Sequence, residues 1–156
     1  MEEHVEEDRV LAIIPARKGS VGIEHKNRKE ICGKSLVEWA YDTAMASKVI
    51  TDVIITSDDP EVLKIDPDRS MKRDDLLSGG ESGSMVRTVL DALSYEESVM
   101  PESLVGIVVL LQPTSPLRRP EWVDSAINML KDDPEADCVF SAYRAEDHHP
   151  ARMYTV

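Results

Sequence analysis

The stretch that decides the fold is LAIIPARKGSVGIEHKN, which runs from Leu11 to Asn27. Residues 10–14 form an apolar, mostly β-branched run that is too short for a helix, so it predicts a buried strand. Pro15 cannot donate a ladder hydrogen bond, and the strand should therefore end there or lie at a sheet edge. The loop that follows contains glycines, which allow backbone N–H groups to converge on an anion.

The same loop collects positive charge in an otherwise acidic chain. Five basic residues lie between positions 17 and 29, whereas the 156-residue chain carries a net charge of −12. Cationic side chains around a glycine loop suit a polyphosphate. An ordinary solvated surface loop is the alternative that spacing alone leaves open. The overall acidity argues against a general nucleic-acid binder, but not against a nucleotide site, for which one local cationic loop is sufficient.

The rest of the chain alternates predicted strands with predicted helices. Strands are predicted at 49–56, 104–111 and 136–142, and helices at 35–47, 60–65, 84–97 and 121–131. The alternation predicts an α/β fold with a doubly wound, mostly parallel sheet. The continuous apolar run at 104–111 is typical of a central strand of such a sheet. Ligands of these sheets bind beyond the carboxyl ends of the strands.

Several local features sharpen this prediction. Ser35 and Glu38 have the spacing of a capping box at the start of the first helix. One side of the helix at 84–97 is predicted to be apolar, and its members are Met85, Val86, Val89, Leu90 and Leu93. Residues 66–83 show no clear periodicity of apolar residues. The two cysteines, Cys32 and Cys138, lie near apolar stretches and are expected to be buried free thiols.

The domain prediction is a flexible acidic tail at 1–9 followed by one domain at 10–156. The N-terminus is acidic where a signal peptide would be basic and apolar. No apolar run approaches the roughly 20 residues of a membrane span. These features predict a cytoplasmic protein that does not bind membranes.

Two separated motifs carry a family resemblance. Residues 16–27 have the form Ala-Arg-x-Gly-Ser-x-Gly-Ile-x-x-Lys-Asn, and residues 111–118 are Leu-Gln-Pro-Thr-Ser-Pro-Leu-Arg. Together, and in this order, they resemble the acylneuraminate cytidylyltransferases, also called CMP-N-acetylneuraminic acid synthetases. The resemblance implies a Rossmann-like nucleotide-diphospho-sugar transferase fold. It also implies an enzyme that moves CMP from CTP to a sialic-acid-like nine-carbon sugar acid and releases pyrophosphate.

The resemblance also implies roles for individual residues. Arg17 and Lys26 would be catalytic, through contacts with the triphosphate. The implied nucleotide-binding residues are Ala16, Arg17, Gly19, Ser20, Lys26, Asn27, Arg73 and Ser84. The implied substrate-binding residues are Gln112, Thr114, Ser115, Arg118 and His149. Arg73 and Ser84 come from a looser match to the family segment R-P-x-E-L-x-x-D-x-x-S, and Val21 departs from the lysine common in the family.

The implied cofactor is Mg²⁺, and the implied partners are CTP and an acidic nonulosonic sugar, with a homodimer as an option. Nucleotidyl transfer normally uses a magnesium ion held by carboxylates and substrate phosphates. In the family those aspartates lie C-terminal to anything in this chain, so no metal ligand is assigned here. Asp58 and Asp59 are interpreted as structural caps.

Other interpretations compete with this one. A 3-deoxy-manno-octulosonate cytidylyltransferase would typically carry Q-G-D-E-P where this chain has residues 112–116, which favours the sialic-acid side. A truncated, non-catalytic nucleotide-binding remnant is the alternative from a different class. Gly33-Lys34-Ser35 resembles the end of a Walker A loop, but position 28 is Arg where that motif needs Gly. A turn leading into a helix cap is the favoured interpretation there.

Overall fold

A parallel sheet with helices on both faces organises the molecule. The computed structural model describes residues 9–19, 22–73 and 85–142. In these ranges the strands are β1 (Arg9–Pro15), β2 (Glu30–Ile31), β3 (Lys34–Ser35), β4 (Asp52–Ser57), β5 (Ser70–Lys72) and β6 (Val105–Leu110). The helices are α1 (Leu36–Ala46), α2 (Met85–Val99) and α3 (Pro120–Asp132), with short 3₁₀ turns at Lys26–Arg28, Val62–Lys64 and Pro67–Arg69.

The strand order β5-β4-β1-β6, with every pair parallel, confirms the doubly wound prediction. All seven residues of β1 are buried, so the first apolar run forms an inner strand, and Pro15 marks its end rather than a sheet edge. Alternate side chains of β1 point to opposite faces. Val10, Ala12 and Ile14 pack with α1 and α3, while Leu11 and Ile13 pack with α2.

The start of α1 is the predicted capping box. The backbone N–H of Glu38 donates to Ser35 Oγ at 3.2 Å, and the backbone N–H of Ser35 donates to Glu38 Oε2 at 2.7 Å. The preceding β2–β3 hairpin turns at Cys32 and Gly33, which both have positive φ (53° and 79°). Gly33-Lys34-Ser35 is therefore a turn that leads into a helix cap, as predicted, and not a phosphate-binding loop.

We expect Glu38→Gln to lower the free energy of unfolding by about 0.5 kcal/mol at neutral pH, because the side chain loses its charge at a helix N-terminus. Hydrogen bonds from the Ser35 side chain and backbone hold the pKa of Glu38 below its ordinary value. The stabilisation is thus complete above about pH 4.5 and is lost as the pH falls through the lowered native pKa. Urea unfolding at neutral and acid pH measures this difference. The exposed Glu102→Gln should show no such difference, and equal losses in both variants would contradict the cap.

The predictions for the C-terminal strands need correction. β6 was expected to be central, but among the described residues it lies at the edge of the sheet and its side chains alternate between half-buried and exposed. The strand expected at 136–142 is not formed, since those residues have no regular structure. The two errors are connected: a strand paired alongside β6 would have made β6 an inner strand.

The aperiodic stretch at 66–83 contains regular structure. Its described portion contains a 3₁₀ turn and β5, which pairs in parallel with β4 from Ile55↔Ser70 to Ser57↔Lys72. Residues 74–84 lie outside the described part. Arg9 was assigned to the flexible tail, yet it begins β1 and is only 6% exposed. Residues 1–8 of that tail are likewise outside the described residues.

Two expectations about burial are wrong. Both cysteines are exposed, because Cys32 occupies the hairpin turn and Cys138 lies in the irregular segment after α3. On α2, the buried positions are Thr88 and Ala92, whereas the predicted apolar residues Met85, Val86 and Leu90 are exposed. No helix in the described ranges is long and apolar enough to cross a membrane.

Candidate functional site

A cavity of about 340 Å³ opens at the carboxyl edge of the sheet. The chain runs outward from β1 through β4 and β5 and then returns to β6 on the other side of β1. Such a switch point is where doubly wound sheets bind ligands. The residues that line the cavity are Pro15, Arg17, Lys26, Asn27, Arg73, Met85, Thr88, Gln112, Pro113 and Thr114.

The backbone on either side of Arg17 is fixed by neighbouring elements. The N–H of Ala16 donates to the carbonyl of Thr56 at 3.0 Å, and Ser57 Oγ donates to the Ala16 carbonyl at 2.5 Å. From the other side, Asn27 Nδ2 donates to the Arg17 carbonyl at 2.9 Å. The end of β4 and the 3₁₀ turn at Lys26–Arg28 thus hold the loop between them. These bonds fix the backbone of Arg17, whose side chain lines the cavity.

The two acidic residues after β4 have structural partners. Asp58 Oδ1 accepts a hydrogen bond from the backbone N–H of Lys18 at 2.6 Å. Asp59 is almost fully buried, and its Oδ1 accepts from the backbone N–H of Glu61 at 3.0 Å. Both residues have structural partners, but the prediction that they are caps is wrong for Asp58, which joins the cationic loop to the end of β4. Asp59 accepts its bond within the turn that precedes Val62–Lys64, whose N-cap is Glu61 without a side-chain cap bond.

Arg73 is the most unusual cation of the cavity. Its side chain is only 5% exposed, and its backbone N–H donates to the carbonyl of Ser57 at 2.9 Å. Nη1 donates to Thr88 Oγ1 at 3.2 Å, whereas Nε and Nη2 are buried without a partner in the described chain. Burial lowers the pKa of Arg73; the charge of Asp58 opposes this shift and that of Arg17 adds to it.

The charge of the cavity is opposite to that of the whole chain. Arg17, Lys26 and Arg73 all line it, and none of the described lining residues is a carboxylate. Within the described residues none of these three cations has a carboxylate at ion-pair distance. Unpaired cations in a partly enclosed site attract an anion strongly, because solvent screens them less than on an open surface.

The opposite wall of the cavity comes from the segment after β6. The N–H of Leu111 donates to the carbonyl of Ile13 at 2.9 Å, which extends the pairing of β6 with β1 by one residue. Gln112, Pro113 and Thr114 follow directly and line the cavity. The two sequence motifs, far apart in the chain, therefore meet at one site because β1 and β6 are neighbouring parallel strands.

Some predicted site residues are not on this cavity. Ala16 is buried and contributes only backbone, and Gly19 has open space around it. Ser115 does not line the cavity. Arg118 places Nη2 at 3.4 Å from the Gln112 carbonyl, and burial lowers its pKa. Ser20, Ser84 and His149 lie outside the described residues.

Four residues that line the cavity are absent from the predicted site, namely Pro15, Met85, Thr88 and Pro113. The sequence indicates only a strand end at Pro15 and the apolar side of a helix at Met85, and Pro113 lies within the second motif without an assigned role. A threonine within an amphipathic helix gives no signal of its own. Only the packing of α2 against the sheet brings Thr88 to the guanidinium of Arg73.

The described residues do not fit a magnesium site by themselves. Mg²⁺ is usually held by one or two carboxylates together with substrate phosphates. The lining residues that the structure describes include no carboxylate, and the same part of the chain contains no group of three or more His, Cys, Asp or Glu side chains that could hold a metal ion.

Comparison with known proteins adds a family match. A family profile described as cytidylyltransferase matches residues 11–153. CMP-N,N'-diacetyllegionaminic acid synthase from Legionella pneumophila is 28% identical over 128 residues, which are 79% of this chain and 53% of that protein. The 3-deoxy-manno-octulosonate cytidylyltransferase of Chlamydia felis is 27% identical over 149 residues, which are 96% of this chain and 56% of that protein.

A solved structure agrees with the fold. The structure of CMP:2-keto-3-deoxy-manno-octonic acid synthetase complexed with CTP is similar with a TM-score of 0.62 and 26% identity. The match covers 81% of this chain and 49% of that one. The chain therefore spans about half the length of the relatives that it matches. The similarity confirms the predicted nucleotide-diphospho-sugar transferase fold.

Proposed function

The chain belongs to the cytidylyltransferase family, and from that premise we propose that its cavity binds CTP and that CMP is transferred from it to an acidic sugar. The single observation that carries the proposal is the position of Arg17, Lys26 and Arg73 around one cavity whose described lining contains no carboxylate. A triphosphate is the ligand whose charge matches three converging cations.

In the proposed reaction a sugar hydroxyl oxygen forms a bond to the α-phosphorus of CTP. The bond from that phosphorus to the bridging oxygen of the β-phosphate breaks, pyrophosphate leaves, and the hydroxyl proton passes to solvent. Arg17 and Lys26 are assigned to the triphosphate, where fixed positive charge stabilises the negative charge that develops on the leaving group. Asn27 serves this role indirectly, since it holds the backbone of Arg17.

The sugar is proposed to lie toward the segment after β6. Gln112 and Thr114 line the cavity there, and Ser115 and Arg118 follow in the same segment. The finer proposal is a sialic-acid-like nine-carbon sugar acid, because residues 112–116 lack the Q-G-D-E-P pattern of the octulosonate enzymes. An octulosonate acceptor is the alternative, favoured by similarity to enzymes of that name at about the same identity.

Magnesium stays a prediction, as do a homodimer and a cytoplasmic location. The described residues that line the cavity would not hold the ion alone, so no step of the proposed reaction is assigned to it here. The second candidate function is nucleotide binding without transfer. It is favoured by the lack of a carboxylate that could hold Mg²⁺ among the described residues that line the cavity.

We expect CTP to raise the melting temperature of the chain more than UTP, ATP or GTP does. Ligand at about 100 times its dissociation constant adds about 2.7 kcal/mol of stability. Lys26→Ala should weaken CTP binding about tenfold, the effect of losing one charged hydrogen bond. Lys29→Ala is the matched control, because Lys29 is exposed three residues further on and does not line the cavity.

Pyrophosphate release from CTP, measured with Mg²⁺ and a panel of sialic-acid-like and octulosonate sugar acids, separates the candidate functions. Release with one of these acids supports transfer and identifies the acceptor. CTP binding without release for any acid supports the binding module. Equal responses to all four nucleotides, or equal losses in the two lysine variants, would overturn the proposed CTP site.

A further inference from the structure

We propose that Thr88 is a positioning residue that holds the guanidinium of Arg73 in the orientation in which it meets the nucleotide. The inference rests on the proposed function, because it concerns the same cavity, and it adds a residue that neither sequence motif contains. Three observations carry it: the burial of both side chains, the hydrogen bond between them, and the free donors that this bond leaves on Arg73.

Thr88 lies on the boundary between the cavity and the core. On α2, Met85, Thr88 and Ala92 follow at spacings of three and four residues, so they share one side of the helix. Met85 lines the cavity, and Ala92 is fully buried in the core formed with Leu11 and Ile13. Thr88, between them, is 3% exposed and lines the cavity as well. An apolar side chain could fill this buried position, so a hydroxyl here is expected to have a hydrogen-bond partner.

The partner of the Thr88 hydroxyl lies on another element. In α1, the comparably buried Thr43 donates its hydroxyl to the carbonyl of Trp39 at 2.8 Å, the usual local partner of a helical threonine. Thr88 Oγ1 instead accepts from Arg73 Nη1 at 3.2 Å, across 15 residues of chain. Among the described residues, the Arg73 side chain forms this hydrogen bond and no other. The bond joins α2 to the segment that follows β5.

The bond fixes a side chain that is otherwise long and rotatable. The backbone of Arg73 is held by Ser57, and Thr88 holds the far end at Nη1. Nε and Nη2 remain buried donors with no partner in the described chain. A guanidinium fixed before the ligand arrives loses less conformational entropy on binding, so binding is tighter than with a free side chain.

The experiment uses the full chain and compares Thr88→Val, which keeps the shape but removes the hydroxyl, with Thr88→Ser, which keeps the hydroxyl. Thr43→Val is the matched control for a buried helical threonine. The first measurement is the ¹⁵N heteronuclear NOE of the Arg73 Nε–H group without nucleotide, with the signal assigned by its loss in Arg73→Met. The second is the dissociation constant of CTP in a double-mutant cycle with Arg73→Met.

We expect Thr88→Val to lower the NOE of Arg73 and to weaken CTP binding about tenfold, with no further loss in the Arg73→Met background. Thr88→Ser and Thr43→Val should keep wild-type values of both. An unchanged NOE in Thr88→Val, or the same loss of affinity with and without Arg73, would overturn the inference. If wild type binds no CTP but Thr88→Val still lowers the NOE, the proposed function fails and the positioning role of Thr88 stands.

Discussion

Arg73→Met is expected to stabilise the nucleotide-free chain by about 1–2 kcal/mol and to weaken CTP binding about 100-fold. The gain in stability follows from burial: Arg73 is 5% exposed and has no ion-pair partner within the described ranges. Replacing even a buried ion pair with apolar side chains of similar volume often stabilises a protein by about 1–4 kcal/mol, and the desolvation cost of a buried charge is less compensated where it has no ion-pair partner. The loss of hydration on burial also lowers the pKa of Arg73.

The loss of affinity has a separate origin. Nε and Nη2 of Arg73 are donors without a partner in the described chain, and each would form a charge-assisted hydrogen bond with an anionic ligand. Such bonds contribute about 1.5–3 kcal/mol each to binding, so removal of the guanidinium should cost roughly two orders of magnitude. Methionine retains the apolar stem, and the backbone bond of residue 73 to Ser57 is unaffected.

Urea unfolding and a CTP titration, both on the same preparation, test the two halves together. Arg69→Met is the matched control, because Arg69 lies four residues before Arg73 in the chain and its side chain is more exposed. Its Nε lies 3.9 Å from Asp66 Oδ2. It should change neither quantity appreciably. A less stable Arg73→Met chain with wild-type CTP affinity would show that Arg73 is a structural residue and not part of a nucleotide site.

Arg9→Ala is expected to lower the free energy of unfolding by about 3 kcal/mol. Arg9 is 6% exposed and joins three elements at the amino edge of the sheet. Nε donates to Asp52 Oδ2 at 2.8 Å, Nη1 donates to the Ser103 carbonyl at 3.1 Å, and Nη2 contacts Glu96 of α2. Burial lowers the pKa of Arg9, but the hydrogen bonds and charges of Asp52 and Glu96 outweigh it and raise the pKa.

Removing one partner from a buried ion pair typically costs 3–5 kcal/mol. The lower end applies here because the Asp52 side chain is 33% exposed and can regain water. The comparison is Arg87→Ala, since Arg87 forms an i,i+4 pair with Asp91 at 2.8 Å but is 65% exposed. That variant should stay within about 0.5 kcal/mol of wild type. Equal losses for the two variants in chemical denaturation would mean that burial does not strengthen the Arg9 contacts.

The elements that sequence predicted well are those whose signal is local. The apolar run before Pro15 is β1, and the spacing of Ser35 and Glu38 is a capping box. Both depend on contacts within a few residues, or on burial that an unbroken apolar run makes unavoidable. The convergence of the two motifs is also explained by the sequence, because each motif follows a predicted strand and parallel strands bring their carboxyl ends to one edge.

The failures concern partners that are distant in sequence. β5 has three residues and no period, and it exists because β4 offers it an edge for pairing. β6 has the composition of a central strand, but the described residues place no strand on its outer side. Exposure of Met85 and Val86 likewise depends on how α2 sits on the sheet, and a one-dimensional pattern does not contain that information.

The sequence by itself determined the alternation of strands and helices, the cationic loop after β1 and the family resemblance of the two motifs. Tertiary structure alone decided which charges are buried. Nothing in the sequence marks Arg9 or Arg73 as buried, although the looser family segment singles out Arg73. Arg9 is satisfied by two carboxylates, whereas Nε and Nη2 of Arg73 have no partner in the described chain. The physical reason is that the cost of burying a charge depends on partners brought together by folding, and local sequence does not specify those partners.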